Sequence, residues 1–237
     1  MKMEAIILAG GLGTRLKDIL KGIPKPMAQI NGKPFLEYLL TYLNYFNFKK
    51  VILAVGYKKE MVENYFKFKY KNMKLIYSYE DSPLETGGAI VKALSYCSGD
   101  YIFVLNGDTF FNVNLKNFFK KEKEYFDIII AIKEMSNFSR YGAIQIKGNK
   151  IICFKEKKYY KKGYINGGIY LINKNLFKKF KLSEKFSFEE FIQDNVDKLT
   201  IGYYIEDSYF IDIGIAEDYK KAQEELAKNY DYFKDSI

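Results

Sequence analysis

The sequence predicts a single α/β domain with a largely parallel central sheet, and two observations carry that prediction. Short apolar runs rich in β-branched and aromatic residues alternate with amphipathic segments, which is the rhythm of consecutive β-α-β units. No internal repeat and no linker rich in glycine, serine or proline divides the 237 residues. A chain of this length can bury one large hydrophobic core.

The first half of the chain carries the regular part of this pattern. We expect four strands, at 5–10, 50–56, 74–79 and 101–108, and three helices between them, at 34–46, 58–68 and 88–97. Pro34 suits the first position of its helix, because the N–H group that proline lacks would have no helical partner there.

The second half mixes strands and helices less regularly. Strand-like runs occupy 127–134, 141–157, 163–173, 200–206 and 209–214, with a helical segment at 187–196 and a closing helix from about Ala216. We expect this half to form the substrate-specific side of the molecule.

Charge and composition exclude several classes of function. The net charge is +9, but Arg15 and Arg140 are the only arginines and the lysines are spread along the chain. We therefore expect no nucleic-acid partner, although a basic protein suits phosphorylated small molecules. The chain has no histidine, which excludes Ser-His-Asp triads, HExxH metal sites and imidazole bases.

No apolar run is long enough to span a bilayer, so no membrane partner is expected. The N-terminal segment does not have the pattern of a signal peptide, because Glu4 interrupts its charged region, its apolar run is very short, and Arg15 and Lys17 follow at once. We expect a cytoplasmic protein.

A glycine-rich loop, LAGGLGTRL at 8–16, follows the first strand. Backbone N–H groups at the start of a helix can surround an anion, and Arg15 suits a bidentate phosphate contact. A plain structural turn is the alternative, because the loop lacks the GK[ST] ending of a Walker A loop and the third glycine of a dinucleotide fingerprint.

Charged residues at three further places point to the same edge of the sheet. Lys25 lies between Pro24 and Pro26, which favour an extended and stiff path that presents the ammonium group. Asp108 and Asp212 each end an apolar strand. Ligands of open α/β sheets bind beyond the carboxyl ends of the strands. Two carboxylates there can share one Mg²⁺, which completes its shell with phosphate oxygens and water.

These motifs together make the sequence similar to the sugar-1-phosphate nucleotidyltransferases. The segments LAGGLGTRL, PKPM, GKP, PLETGGAI, NGD and DIG occur in the family's order over residues 1 to about 225. The resemblance implies a GT-A-like, Rossmann-type three-layer sandwich that forms one nucleotidyltransferase domain over 1–237. Its nucleotide-binding half is expected at 1–110 and its sugar-phosphate-binding half at 111–237.

The resemblance also implies a role for individual residues. Those expected along the nucleotide are Leu8, Ala9, Gly10, Gly11, Gly13 and Thr14. Those expected around the base are Glu80, Pro83, Thr86 and Gly87. Those expected at the sugar and its phosphate are Gly142, Glu156, Lys157 and Asn166. Arg15 would hold the departing β- and γ-phosphates, Lys25 the α-phosphate, and Asp108 and Asp212 the Mg²⁺ ion. Ala216 departs from the family, which often has proline there.

The expected reaction needs no general base. A sugar 1-phosphate oxygen attacks the α-phosphorus of a nucleoside triphosphate in line and pyrophosphate leaves; the attacking group is already ionised near neutral pH, since its second pKa is about 6. Glu80 indicates which base is bound. An ionised carboxylate only accepts hydrogen bonds, and guanine offers two adjacent donors with which it can pair. Within the family, YGAIQI, ICFKEK and YINGGIYLI most resemble guanylyltransferases that act on a heptose 1-phosphate, which implies GTP as the donor.

Three other functions stay open at this stage. The chain could be a thymidylyl-, uridylyl- or cytidylyltransferase of the same fold that acts on another sugar 1-phosphate or on phosphocholine. It could also be a catalytically silent regulatory or binding subunit, or a basic nucleic-acid-binding protein. The motifs leave the oligomeric state open.

Overall fold

The computed structural model describes residues 3–11, 13, 16–20, 22–121 and 123–230. Its strands are β1 Glu4–Leu8, β2 Gln29–Ile30, β3 Lys33–Pro34, β4 Lys50–Val55, β5 Lys69–Tyr70, β6 Met73–Tyr79, β7 Tyr101–Asn106, β8 Thr109–Phe111, β9 Ile128–Phe138, β10 Gly142–Lys147, β11 Lys150–Lys157, β12 Tyr160–Asn173, β13 Ile201–Ile205 and β14 Phe210–Asp212. Its α-helices are α1 Lys17–Leu20, α2 Phe35–Tyr45, α3 Lys59–Phe66, α4 Glu85–Leu94, α5 Leu115–Phe119, α6 Phe188–Asp194 and α7 Ala216–Tyr230.

Within the described residues, ten strands form one sheet in the order β10-β11-β13-β9-β12-β7-β1-β4-β6-β5. The strands β7, β1, β4 and β6 run parallel to one another, as the sequence predicted. The long strand β12 is antiparallel to both β7 and β9, so the mixed part of the sheet belongs to the second half of the chain. The predicted α/β fold with a parallel core is confirmed.

Strand order reverses between β1 and β7. From β1 the chain moves outward through β4 to β6 and then returns to place β7 on the other side of β1. Such a reversal opens a crevice at the carboxyl ends of the two central strands, where open α/β sheets bind their ligands. The fold therefore fixes the position of the site before any side chain is considered.

Helices cover both faces of the sheet. Along β1, Ala5 and Ile7 belong to one buried cluster and Ile6 to the other, as the alternation of a strand requires. Buried residues of α2, α3, α5 and α7 join the first cluster, and those of α4 and α6 join the second. This arrangement is the predicted three-layer sandwich.

The predicted boundaries differ from the structure at a few places. Helix α4 begins at Glu85, three residues before the predicted start. Gly87 and Gly88 therefore lie within its first turn. The strand expected to reach Asp108 ends at Asn106. Pro34 lies just before α2 and not inside it. Helix α7 begins at Ala216, as predicted.

No helix in the described part of the chain combines the length and the apolarity that crossing a membrane requires.

Candidate active site

A cavity of about 750 Å³ opens at the reversal point of the sheet. Several residues predicted to bind the nucleotide line it, namely Leu8, Gly10, Gly11, Gly13, Lys25, Glu80, Pro83, Thr86 and Asp108. Ala9 is buried behind this wall, and its N–H group donates to the Ala54 carbonyl. Thr14 and Arg15 lie outside the described residues.

Two glycines let the backbone come close at this edge. A Cβ atom on Gly107 would lie 2.2 Å from the Leu8 carbonyl oxygen, which accepts the Gly107 N–H group at 3.0 Å. A Cβ atom on Gly10 would lie 2.4 Å from Oε1 of Glu80. A side chain at Gly107 would push apart the strand ends that form the cavity, and one at Gly10 would displace the Glu80 carboxylate.

Glu80 is held at one end of the cavity by its own loop. Its Oε2 atom accepts the Leu84 N–H group at 3.1 Å, while Oε1 faces Gly10. Burial raises the pKa of Glu80, and the Leu84 N–H group and the charge of Lys92 oppose that rise. The carboxylate is fixed in orientation and half-buried, with acceptor capacity turned toward the cavity.

The two predicted strand-end aspartates meet in the structure. Strands β8 and β14 pair antiparallel, with Asp212 opposite Thr109, and the Ile213 N–H group donates to the Asp108 carbonyl at 3.0 Å. Burial, followed by the nearby charge of Asp108, raises the pKa of Asp212. Lys25 forms an ion pair with Asp108 and offsets part of this repulsion.

These two carboxylates fit a divalent cation that also binds a polyphosphate. Among the described residues there is no group of three or more Asp, Glu or Cys side chains able to enclose a metal ion. Mg²⁺ commonly takes one or two carboxylates and leaves its other positions to phosphate and water. Asp108 and Asp212 therefore suit a metal that arrives with its nucleotide better than a metal enclosed by the protein.

The Lys25 loop does not follow the extended path that its prolines predicted. Pro24 is extended, but Lys25–Met27 forms a 3₁₀ turn closed by the Met27 N–H group on the Pro24 carbonyl at 2.8 Å. Helix α7 anchors the loop, because the Tyr219 hydroxyl and the Gln223 amide each donate to the Gln29 carbonyl at 2.7 Å. The ammonium group is still presented on a fixed loop, as the sequence predicted.

Arg140 is a site residue that the motifs did not reveal. Its guanidinium group lies 3.5 Å from Oδ2 of Asp212 and forms an ion pair with Asp218 of α7. The Tyr141 hydroxyl also donates to Asp212 at 3.5 Å. The one available signal was the rarity of arginine, since Arg140 is one of two in the chain. It ties the strand-end carboxylate to the last helix.

The residues predicted at the sugar lie on β10, β11 and β12, outside the cavity wall. Gly142 pairs with Lys157 across β10 and β11, where a Cβ atom would lie 2.4 Å from the Lys155 carbonyl oxygen. Glu156 and Lys157 are exposed. Asn166 donates to the Tyr170 hydroxyl at 2.8 Å and accepts the Gly168 N–H group at 2.9 Å.

Gly87, on α4, packs against the segment that precedes α6 and is absent from the cavity wall. Its Cα faces the Phe186 ring, where a Cβ atom would lie 2.2 Å from a ring carbon, and its N–H group donates to the Phe186 carbonyl at 2.9 Å. Two residues that the sequence did not single out, Asn106 and Glu189, do line the cavity. Asn106 could have been noticed two positions before Asp108, whereas Glu189 carries no local signal.

The described fold and site define a nucleotide-binding α/β transferase. The family described as nucleotidyl transferase matches residues 4–229, and the chain belongs to that family. It is 51% identical over 218 residues to the D-glycero-alpha-D-manno-heptose 1-phosphate guanylyltransferase of Campylobacter jejuni, covering 92% of this chain and 97% of that protein. It is 47% identical over 226 residues to the enzyme of the same name from Aneurinibacillus thermoaerophilus, covering 94% and 98%.

A solved structure agrees with this family. The chain superposes on HddC from Yersinia pseudotuberculosis with a TM-score of 0.84 and 37% identity, covering 94% of this chain and 99% of that one. HddC has also been solved in complex with GMP-PN. The predicted family, the predicted fold and the resemblance to heptose 1-phosphate guanylyltransferases are confirmed.

Proposed function

We propose that this protein transfers GMP from GTP to D-glycero-α-D-manno-heptose 1-phosphate and gives GDP-heptose and pyrophosphate. The observation that carries the proposal is the Glu80 carboxylate, an acceptor-only group in the wall of a cavity that Lys25 and Asp108 also line. The identity of 51% with a guanylyltransferase over nearly the whole chain supports it. The close relatives do not favour the thymidylyl-, uridylyl- or cytidylyltransferase alternatives or a silent subunit.

Glu80 would read the base through hydrogen-bond donors. Guanine presents a ring N–H and an exocyclic amino group side by side, and a carboxylate can accept from both. Uracil and thymine place a carbonyl on each side of one N–H group, and those carbonyls would face the negative charge. The hydrogen bond from Leu84 to Oε2 at 3.1 Å keeps the carboxylate in the orientation that such pairing needs.

The phosphates would lie between Glu80 and the strand-end aspartates. In our proposal Lys25 leaves Asp108 to hold the α-phosphate, and Arg15 holds the β- and γ-phosphates that depart as pyrophosphate. Gly10, Gly11 and Gly13 line the same cavity, and their backbone N–H groups would contact the phosphates. The attacking sugar-phosphate oxygen is already ionised, so these groups position the reactants and neutralise charge without moving a proton.

Asp108 and Asp212 would hold Mg²⁺ in this proposal. The chemistry that the ion supplies at such a site is neutralisation of polyphosphate charge. Arg140 and Tyr141 would keep the Asp212 carboxylate turned toward Asp108.

The acceptor substrate would enter from the second half of the chain. We place the sugar and its phosphate against the group named by the family resemblance, namely Gly142, Glu156, Lys157 and Asn166. The chain would then act as one domain over 1–237, with a nucleotide half at 1–110 and a sugar-phosphate half at 111–237. We place the reaction in the cytoplasm.

A matrix of nucleoside triphosphates against sugar 1-phosphates with Mg²⁺ tests this function through the release of pyrophosphate. We expect the highest kcat/KM for GTP with D-glycero-α-D-manno-heptose 1-phosphate. A preference for UTP, dTTP or CTP would overturn the base assignment. Release of pyrophosphate with another sugar 1-phosphate alone would overturn the sugar assignment. No release in any combination would favour a catalytically silent regulatory subunit.

A further inference from the structure

A second polar part of the cavity wall lies where α4, α6 and β12 meet. Glu80 follows β6, whereas Asn106 ends β7 and Glu189 contacts Tyr170 on β12, on the opposite side of the reversal point. Both Asn106 and Glu189 line the cavity. Neither has an assigned role at the base or the phosphates, although Thr86, which is predicted at the base, donates to Glu189.

Hydroxyl groups alone supply the described side-chain partners of Glu189. Thr86 donates to Oε2 at 2.7 Å, Ser187 reaches the same oxygen at 3.4 Å, and the Tyr170 hydroxyl donates to Oε1 at 3.4 Å. None of the ion pairs between described residues includes Glu189. A carboxylate offers about four acceptor positions, so Oε1 retains capacity for a donor from the cavity.

The position of this carboxylate is fixed from two sides. The Thr86 hydroxyl that donates to it also accepts the Phe188 N–H group at 2.8 Å. Tyr170 is fully buried, and burial followed by the charge of Glu189 raises the pKa of its hydroxyl, which keeps the proton that it donates. Glu189 is therefore oriented in advance of any ligand.

Asn106 adds a second acceptor that lacks a donor. Its Oδ1 atom is buried and is without a hydrogen-bond partner in the described part of the chain. A buried polar group without a partner is unfavourable, so native structures nearly always satisfy it. A carboxylate that pairs with no described cation, and an amide oxygen that lacks a described partner, suit a ligand that brings hydroxyl donors.

We propose that Glu189 and Asn106 bind hydroxyl groups of the sugar 1-phosphate and determine which sugar the enzyme accepts. This inference rests on the proposed function. A phosphate would be repelled by the Glu189 carboxylate, and the base lies at the Glu80 end. The ribose of the nucleotide also carries hydroxyls, so the experiment separates the two sources.

The first test compares Glu189→Gln with Glu190→Gln, an exposed neighbour on the same helix. The amide can still accept from Thr86 but loses the charge. We expect KM for the sugar 1-phosphate to rise by about 10- to 100-fold, the range for a charge-assisted hydrogen bond. KM for GTP and kcat should stay within about threefold, and Glu190→Gln should match the wild type. An unchanged sugar KM, or equal rises for both substrates, overturns the proposal.

The second test uses analogues, and its first comparison is made on the wild type alone. Wild-type enzyme is assayed with sugar 1-phosphates that each lack one hydroxyl and with 2′- and 3′-deoxy-GTP. We expect at least one deoxysugar to lose about 10-fold or more in kcat/KM, and that loss to shrink to within about twofold in Glu189→Gln, because the two changes remove one interaction.

The proposal is overturned if no deoxysugar costs the wild type more than about twofold, or if the coupling to Glu189 appears with the deoxy-GTP analogues instead. Asn106→Ala supplies the matching variant on the other acceptor and should also raise the sugar KM. If the wild type uses a different sugar 1-phosphate, the proposed function fails, and the same series with that sugar tests Glu189 separately.

Discussion

Glu80 and Glu189 are two carboxylates in one cavity, and they are held in different ways. Glu80 is oriented by the N–H group of Leu84, four residues further along the chain. Glu189 is oriented by Thr86, 103 residues away, and by Tyr170, 19 residues away. The nucleotide end of the site is therefore built from local motifs, whereas the other end is built where distant elements pack together.

The two kinds of support respond differently to changes elsewhere in the protein. A loop that carries its own hydrogen bond can keep its geometry while the rest of the protein changes. A carboxylate held by two other elements moves whenever their packing changes. We therefore expect base preference to depend on Glu80 and its loop, and sugar preference to respond to changes in α4, α6 and β12.

The largest effect is expected between the two ends, at Asp108 and Asp212. Asp108→Asn and Asp212→Asn each remove a negative ligand from the site proposed for Mg²⁺, and should lower kcat by about three to four orders of magnitude while the protein stays folded. Because these carboxylates serve both substrates, the loss should not depend on which substrate is varied. Full activity in EDTA, or a loss confined to one substrate, would contradict a shared metal site.

Arg15 should show the next largest effect. Loss of a charge that contacts the departing phosphates is expected to lower kcat by roughly two to four orders of magnitude in Arg15→Ala. Arg15→Lys should recover part of the rate, since a point charge does not replace a planar fork. Steady-state assays measure kcat for both variants. An unchanged kcat in Arg15→Ala would indicate that the glycine-rich loop is a structural turn.

Glu80→Gln should affect one end of the cavity alone. We expect GTP use to weaken by about 1–3 kcal/mol, the range for a hydrogen bond to a charged group, and relative use of UTP or dTTP to improve. KM for the sugar 1-phosphate should not move. Glu60→Gln, an exposed glutamate on α3, is the matched control. A rise in both KM values would show that the two ends are not independent.

The smallest effect on activity is expected at Glu4, on the opposite edge of the sheet. Burial raises the pKa of Glu4. Hydrogen bonds from Lys50, Gly99 and Ser98 lower it by more than burial raises it, so the pKa is about 2. The lowered pKa contributes stability on the order of 3 kcal/mol above pH 4.5, which is lost as the pH falls toward 2.

Denaturant unfolding between pH 7 and pH 3 measures this contribution. Glu4→Gln should be less stable than the wild type at pH 7, and the difference should shrink toward pH 3. A difference that stays constant over this range would show that Glu4 acts through packing and not through its charge.

Local patterns in the sequence determined the parallel core and the nucleotide end of the site. Strand periodicity placed β1, β4, β6 and β7, and the rule for strand ends put the loop at 10–15, Glu80 and Asp108 at one edge. These inferences hold because each depends on residues close in sequence or on the common direction of parallel strands. Asp212 was also found in this way, since it ends a strand.

Only the tertiary structure decided the rest. Three of its contacts join residues that are far apart in sequence. They are the insertion of β12 between β7 and β9, the contact of Arg140 with Asp212, and the packing of Gly87 against Phe186. The same holds for Glu189, whose first-turn position on a short amphipathic helix looks like any solvated glutamate. Periodicity reports which face of an element is buried, but the partner across that face is set by how all the layers pack together.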